Sequence, residues 1–283
     1  MSAVLSLIAS GVVWGLTWWP LKHFAQLGLD GHAVALTAYV PIALATLPFI
    51  WRERALWRDE QRLLFAIALF FGIANFALNF ALMSGSVVRV MLLFFLLPAW
   101  GVIGGRLFLK EALDARRLLA VALCLGGVFT IVGGVEALST PWSMADAAAL
   151  VAGIAYTLGG IANRASQRLP MVSRTLVSFA GCAALGVVGL LLHVPAIPSL
   201  QPVDWAALLL FAAVWIGSAT LLTTFGVTHL PASRAGVLQV VELLVAIVSA
   251  VWIGGESLSA MEMLGGAMIA AATMVEAWGM RPT

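Results

Sequence analysis

The sequence predicts an all-α polytopic membrane protein: ten transmembrane helices arranged as two inverted five-helix repeats, with both termini cytoplasmic. Three observations predict it. First, 62% of the 283 residues are hydrophobic and only 10% are charged, with a mean hydropathy of +1.05. An ordinary soluble domain carries about 25% charge to clothe its surface. Second, the apolar residues come in continuous runs close to the length of about 20 residues that a helix needs to cross a bilayer. Third, Lys and Arg concentrate in every other linker, the pattern of a cytoplasmic face. The same figures exclude other classes. Fifteen Lys+Arg against thirteen Asp+Glu leaves a formal charge of +2, too balanced to draw a polyanion, so no nucleic-acid partner is expected. The runs do not alternate as barrel strands do. Ten spans also consume about 200 residues, which leaves no room for a soluble domain.

Each span has its own signals. Span one, about 2–22, has no Lys or Arg ahead of its apolar stretch and no complete signal-peptide pattern, so it is expected to be retained. It carries Gly11, Trp14, Gly15, Thr17 and Trp18. Span two, 31–51, holds Tyr39 and ends at the basic linker Arg52 to Arg62. Span three, 61–82, holds Asn75 and Asn79. Span four, 85–108, holds Pro98 and Trp100, and Lys110 to Arg117 closes it. Span five, 114–133, contains Cys124 and Gly126-Gly127, before Ser139-Thr140-Pro141. Span six, 143–163, contains Gly153 and Tyr156, and Arg164 to Arg174 follows. Span seven, 172–192, contains Cys182. The two cysteines, deep in apolar runs, read as small packing residues. Span eight, 203–226, follows Pro195 to Pro202 and contains Trp215, Thr220, Thr223 and Thr224. Span nine, 231–253, contains Gln239 and Glu242 and ends at Gly254-Gly255-Glu256. Span ten, 260–280, contains Gly265-Gly266 and Glu276.

With the N-terminus inside, thirteen of the fifteen basic residues face the cytoplasm and only Lys22 and Arg89 face outward. A miscounted span would scramble that split. The chain also echoes itself. Leu97-Pro98, with Lys110-Glu111 beyond, matches Glu242-Leu243, with Gly255-Glu256 beyond, at an offset of 145 that also pairs Arg89 with Arg234. An offset of 142 pairs Gly11 and Trp14 with Gly153 and Tyr156, and Lys22 with Arg164. The division expected is 1–137 and 138–283. Five is odd, so the halves must be inverted, the construction that lets two similar halves exchange inward- and outward-open states.

These features resemble the EamA type of the drug/metabolite transporter superfamily: ten short spans, Trp14-Gly15 early, Pro98 in span four, and Glu111 and Glu256 just after spans four and nine. The resemblance covers the whole chain. It implies a multi-pass protein of a bacterial inner membrane and a central cavity lined by helices one, three, four, six, eight and nine, with helices five and ten peripheral. It also implies kinship with exporters of amino acids, including aromatic ones. One departure stands out: helix nine often has a Glu-Pro pair where this chain has Glu242-Leu243, so a helix break is expected in span four but is in doubt in span nine.

Polar groups at membrane depth are expensive, and so mark sites. Glu242 is the only carboxylate near a span centre, and Gln239 shares its helical face. Glu242 reads either as a partner for a substrate ammonium or a proton carrier, or as a structural carboxyl. Asn75 and Asn79, four apart, either contact substrate or join helices. Trp14, Thr17, Trp18, Tyr156 and Trp215 fit an aromatic-walled cavity for an apolar side chain or an ammonium; Tyr39 and Trp100 are weaker candidates for its wall. Gly11/Gly15, Gly101/Gly105 and the two glycine pairs read as close helix contacts, and Arg89 and Arg234 as cations snorkelling to headgroups.

No span centre carries Lys or Arg, the four histidines lie at span ends or in loops, and no P-loop, H-E-x-x-H or nucleophile-elbow motif occurs. The expectation is therefore no enzyme, no cofactor and no metal. The function expected is a secondary transporter exporting small metabolites, foremost amino acids with apolar or aromatic side chains. The substrate-binding set is Trp14, Thr17, Trp18, Asn75, Asn79, Tyr156, Trp215, Gln239 and Glu242. The alternative is an exporter of lipophilic cations or drugs. A lipid-handling scaffold or membrane enzyme is the reading from another class.

Overall fold

The structure, a computed structural model, describes residues 2–57, 60–108, 110, 114–132, 142–166, 168–192, 198–230 and 232–279. Among them every regular element is helical: α1 (Ala3–Gly15), α2 (Trp18–Gln26), α3 (Gly31–Glu53), α4 (Gln61–Ser84), α5 (Val87–Phe94), α6 (Leu97–Phe108), α7 (Ala115–Val132), α8 (Met144–Ala165), α9 (Met171–Leu192), α10 (Pro202–Leu210), α11 (Gly217–His229), α12 (Ala232–Trp252) and α13 (Ala260–Gly279). Glu111, Arg58, Arg281 and the side chains of Pro98, Arg234 and Glu276, which the sequence singles out, lie outside the described residues.

Local chemistry starts these helices. Ser2, Asp30 and Ser86 each accept the backbone N–H three residues on. Ser143 and Asp146 form a reciprocal capping box at α8. These bonds satisfy N–H groups that a first helical turn leaves orphaned. Pro202 opens α10, a position that has no intrahelical N–H bond to lose.

Six segments of the described residues are long and apolar enough to cross a membrane, and a seventh qualifies if the bent pair Ala33–Phe49 and Trp51–Trp57 is one span. Pro48 precedes that 40° bend, which leads into a short 3-10 turn at Arg54–Trp57. Of the other spans expected, α7 opens with Arg116 and Arg117, and the apolar stretches Leu238–Trp252 and Ala260–Val275 are shorter. Large apolar side chains face outward: Leu44, Phe65, Leu107, Leu191, Leu221 and Trp252 are all exposed. The architecture is that of a polytopic membrane protein.

α5 is the centre of the molecule. Val87, Val88 and every residue from Val90 to Phe94 are buried, and α5 packs on α8, α12 and α13. Around it, α4 lies against α8 and α9, α3 against α9, α1 against α11 and α12, and α13 against α7. In lipid such contacts depend on close packing and interhelical hydrogen bonds, which favours small residues at the seams. The two glycine pairs meet across the α7–α13 seam: a Cβ on Gly127 would come within 2.8 Å of the Gly265 carbonyl oxygen. Gly101 departs from expectation, with open space around it. Cys124 and Cys182 are buried free thiols.

Three segments depart from straight helices. α5 and α6 part just before Pro98, which has no N–H to give to the Phe94 carbonyl. α12 runs unbroken past Glu242-Leu243. The other two were not among the expectations. Span one breaks between α1 and α2 at Leu16-Thr17, where Pro20 has no N–H to give to the Leu16 carbonyl, and α10 passes into α11 through a π-helical turn at Phe211–Ile216.

Candidate functional site

The site is built from the seam between α1 and α12. Gly11 and Gly15 lie one turn apart on α1 and let its backbone touch that of α12. A Cβ on Gly11 would stand 3.1 Å from the Glu242 nitrogen, and one on Gly15 would stand 2.7 Å from the Glu242 carbonyl oxygen. The glycine motif of span one thus sets the depth of Glu242 relative to span one.

A second face of α1, the stripe Ser6, Ser10 and Trp14, faces α11. The Ser6 hydroxyl donates to the Leu222 carbonyl (2.9 Å), the Ser10 and Thr223 hydroxyls are bonded (2.5 Å), and the Trp14 indole N–H donates to Thr223 Oγ1 (3.1 Å). At the break, the Thr17 N–H bonds to the Trp14 carbonyl and leaves the Val13 carbonyl free of its helical partner. The Thr17 hydroxyl (3.0 Å) and the Trp215 indole N–H (3.1 Å) take that carbonyl, and the indole also reaches Thr17 Oγ1 (3.1 Å). Trp215 stands in the π-helical turn, a feature that often accompanies functional positions. Beyond the break, buried Trp18 donates to Ser249 Oγ on α12 (2.9 Å).

Tyr156 on α8 joins the other side of the site. It stands beside Gln239 and Glu242 of α12. Its ring meets Phe71 and Phe94 edge-on, at centroid distances of 5.5 and 5.7 Å. One turn back on α8, Gly153 lets the Phe94 carbonyl approach, and the Trp100 ring lies alongside. The Trp100 indole N–H is buried without an acceptor among the described residues. No hydrogen-bond donor among the described residues reaches the Glu242 carboxylate.

Asn75 and Asn79 have other partners. The Tyr39 hydroxyl donates to Asn75 Oδ1 (3.2 Å) and lies near Asn79, while Asn75 Nδ2 donates to the Phe71 carbonyl (2.9 Å). Phe179 stacks on Tyr39. The link to the first group runs through Phe71, whose ring touches Tyr156.

The structure therefore ties Trp14, Thr17 and Trp215 into one hydrogen-bonded cluster, sets Tyr156 against Gln239 and Glu242, and sends Trp18 to Ser249. Sequence reasoning missed Ser6, Ser10, Ser249, Phe71 and Phe94. The i, i+4, i+8 stripe of Ser6, Ser10 and Trp14 was a usable signal. Arg89 has a partner that the sequence did not show: its Nε donates to Asp146 Oδ1 at 2.8 Å, and Asp146 is buried. No cluster of metal-ligating side chains occurs among the described residues.

The profile of the EamA-like transporter family matches residues 1–133 and again 143–276. The chain is 25% identical over 248 residues to the uncharacterized transporter YojE of Bacillus subtilis (strain 168), covering 83% of this chain and 80% of that one. One solved crystal structure superposes with a TM-score of 0.58 at 19% identity, over 97% of this chain and 96% of its own. That likeness speaks for the fold.

Proposed function

The chain belongs to the EamA-like transporter family, and on that premise we propose that it exports small zwitterions, foremost amino acids with apolar or aromatic side chains, from a bacterial cytoplasm across the inner membrane. The working unit is ten spans in two inverted five-helix halves, 1–137 and 138–283. Two consecutive matches to one family profile support the repeat, and the thirteen-to-two split of basic residues supports the orientation. Transport is alternating access by rocking of the halves around a midplane site. Single cysteines at Ser139 and Gln201, in a background lacking Cys124 and Cys182, should react with impermeant thiol reagents from outside, and one at Gln61 should not. Labelling of Gln61 from outside would reverse the orientation.

One observation carries the substrate reading: a carboxylate at the centre of α12, without a hydrogen-bond donor among the described residues, beside a tyrosine ringed by phenylalanines. An ammonium supplies the missing donors, and aromatic faces add cation–π attraction. Glu242, Gln239 and Tyr156 receive the amine, and Trp14, Thr17, Trp18 and Trp215 shape the wall. Asn75 and Asn79 are outer members, since a substrate would have to displace Tyr39 to reach them. The Trp100 indole N–H is a donor free for the substrate carboxylate. Glu242 works as an ionised partner, because downhill export of an abundant metabolite needs no driving ion. The competing branch is proton antiport, in which protonation of Glu242 alternates with substrate.

The engagement of Asn75 and Asn79 favours a second reading, an exporter of lipophilic cations, because it leaves fewer donors for a carboxylate. A panel of radiolabelled amino acids, amines and quaternary ammonium compounds on purified protein in liposomes tests both. Competition by zwitterions supports the first, competition by permanent cations alone supports the second, and absence of solute flux removes both.

A further inference from the structure

At the end of the molecule that holds Lys22 and Arg89, contacts crossing between the two sequence halves gather on the start of α5. Gly255 takes a left-handed conformation (φ 67°), which glycine adopts without strain. The Glu256 N–H then turns back to the Ala250 carbonyl, closing α12. That turn aims Glu256 at α5. Its carboxylate accepts from the Val87 N–H (2.8 Å), the Val88 N–H (3.0 Å) and the Ser86 hydroxyl (2.8 Å). The two N–H groups are orphan donors at the positive end of the helix dipole. At the third residue of α5, Arg89 pairs with Asp146 at the start of α8. The turn ahead of α5 is pressed on the same place: a Cβ on Gly85 would come within 2.7 Å of Ala145 Cβ, and Lys22 Nζ donates to the Gly85 carbonyl (2.6 Å).

We propose that these contacts are the outer gate: two carboxylates from 138–283, Glu256 and Asp146, clasp the start of α5 from 1–137 and hold that end shut. The proposal rests on the alternating-access reading above, but not on its substrate. Opening this end separates α5 from α8 and from the α12–α13 turn. Both clasps must then release, and their strength weights the state closed here against the state open here. The clasp is charge-assisted at both points. The pairing of Glu256 with α5 also gives a reason for a glutamate at this position in the chain, thirteen residues beyond Leu243.

Two reporters on α8 test it. Ala149 is buried beneath the clasp, and Ala162 is buried toward the opposite end of the same helix. Each is replaced singly by cysteine in the Cys124→Ala/Cys182→Ala background, and labelling by an impermeant thiol reagent is followed separately from each side of the membrane. Glu256→Gln removes one clasp and Arg89→Gln the other. Each variant is first checked for a monodisperse elution profile, so that one remains if the other fails to fold. The expected result is opposed change. Labelling at Ala149 from the Lys22–Arg89 side rises by on the order of tenfold, the population shift that losing one charge-assisted hydrogen bond produces. Labelling at Ala162 from the other side falls. A rise at both positions is loosening rather than gating and overturns the proposal, as does an unchanged rate at Ala149 or at Ala162. The liposome panel is independent of this readout. Opposed labelling without amino-acid flux removes the substrate and keeps the gate, whereas flux with unchanged labelling removes the gate and keeps the transporter.

Discussion

Two polar groups lie on either side of the Phe71–Tyr156 ring contact, and they are built in opposite ways. Around Tyr39, polar groups are matched to one another: its hydroxyl donates to Asn75 Oδ1, and the Asn75 amide returns to its own helix. Around Glu242, a carboxylate stands without a hydrogen-bond donor among the described residues, although hydroxyls and indoles crowd the adjoining seam. The first arrangement stabilises helix packing in a medium that offers no water. The second leaves an acceptor for something that arrives. Burial alone does not mark a site, since Asn79 is more buried than Glu242. The distinguishing property is whether the protein's own groups already satisfy the polar atom.

The largest expected effect comes from breaking the unsatisfied side. Glu242→Gln keeps the shape and removes the charge. It should reduce transport of zwitterions and amines by on the order of thirtyfold or more, as truncation of one partner of a desolvated charge pair does, with the pH response unchanged. A variant that still exchanges substrate for substrate but ignores an imposed pH gradient would favour proton antiport. The wall of the site should respond less. Trp14→Ala and Trp215→Ala should cost about tenfold for bulky apolar substrates and less for small ones, at unchanged expression. Trp215→Phe separates two roles of that residue, because it keeps the ring but gives up the bond to the Val13 carbonyl at the break. Equal losses for large and small substrates would reduce both rings to packing. Trp100→Phe should lower the preference for an amino acid over its decarboxylated amine by a few-fold, measured as a ratio of inhibition constants. The satisfied side should matter least to transport: Tyr39→Phe should cost about 0.6 kcal/mol of stability, the average for interhelical hydrogen bonds in membranes. A modestly lower unfolding temperature with unchanged substrate affinity is the check.

The parts of this arrangement that depend on local chemistry were legible in the sequence. The break ahead of Pro98 follows from a missing N–H, the α7–α13 seam from two glycine pairs, and the isolation of Glu242 from the scarcity of charge in apolar runs. The parts that depend on distant partners were not. The break at Leu16-Thr17 is partly local, since Pro20 has no N–H to give to the Leu16 carbonyl, but the indole that takes the freed Val13 carbonyl belongs to Trp215, 202 positions beyond Val13. The partner of Arg89, Asp146, lies 57 positions on, and nothing local to Arg89 announces it. Ser6 and Ser10 went unread: their spacing with Trp14 marks a shared face, but a serine in an apolar helix can satisfy itself locally and does not name its acceptor on a neighbouring helix.

The central claim is that substrate binds first at Glu242, with the asparagine pair at the edge of the site. The most direct measurement is equilibrium binding of a radiolabelled aromatic amino acid to purified protein, with wild type, Glu242→Gln and Asn75→Ala measured side by side. The account predicts a dissociation constant raised by on the order of tenfold or more in Glu242→Gln and little changed in Asn75→Ala. Unaltered binding in Glu242→Gln, with binding lost in Asn75→Ala, would contradict it.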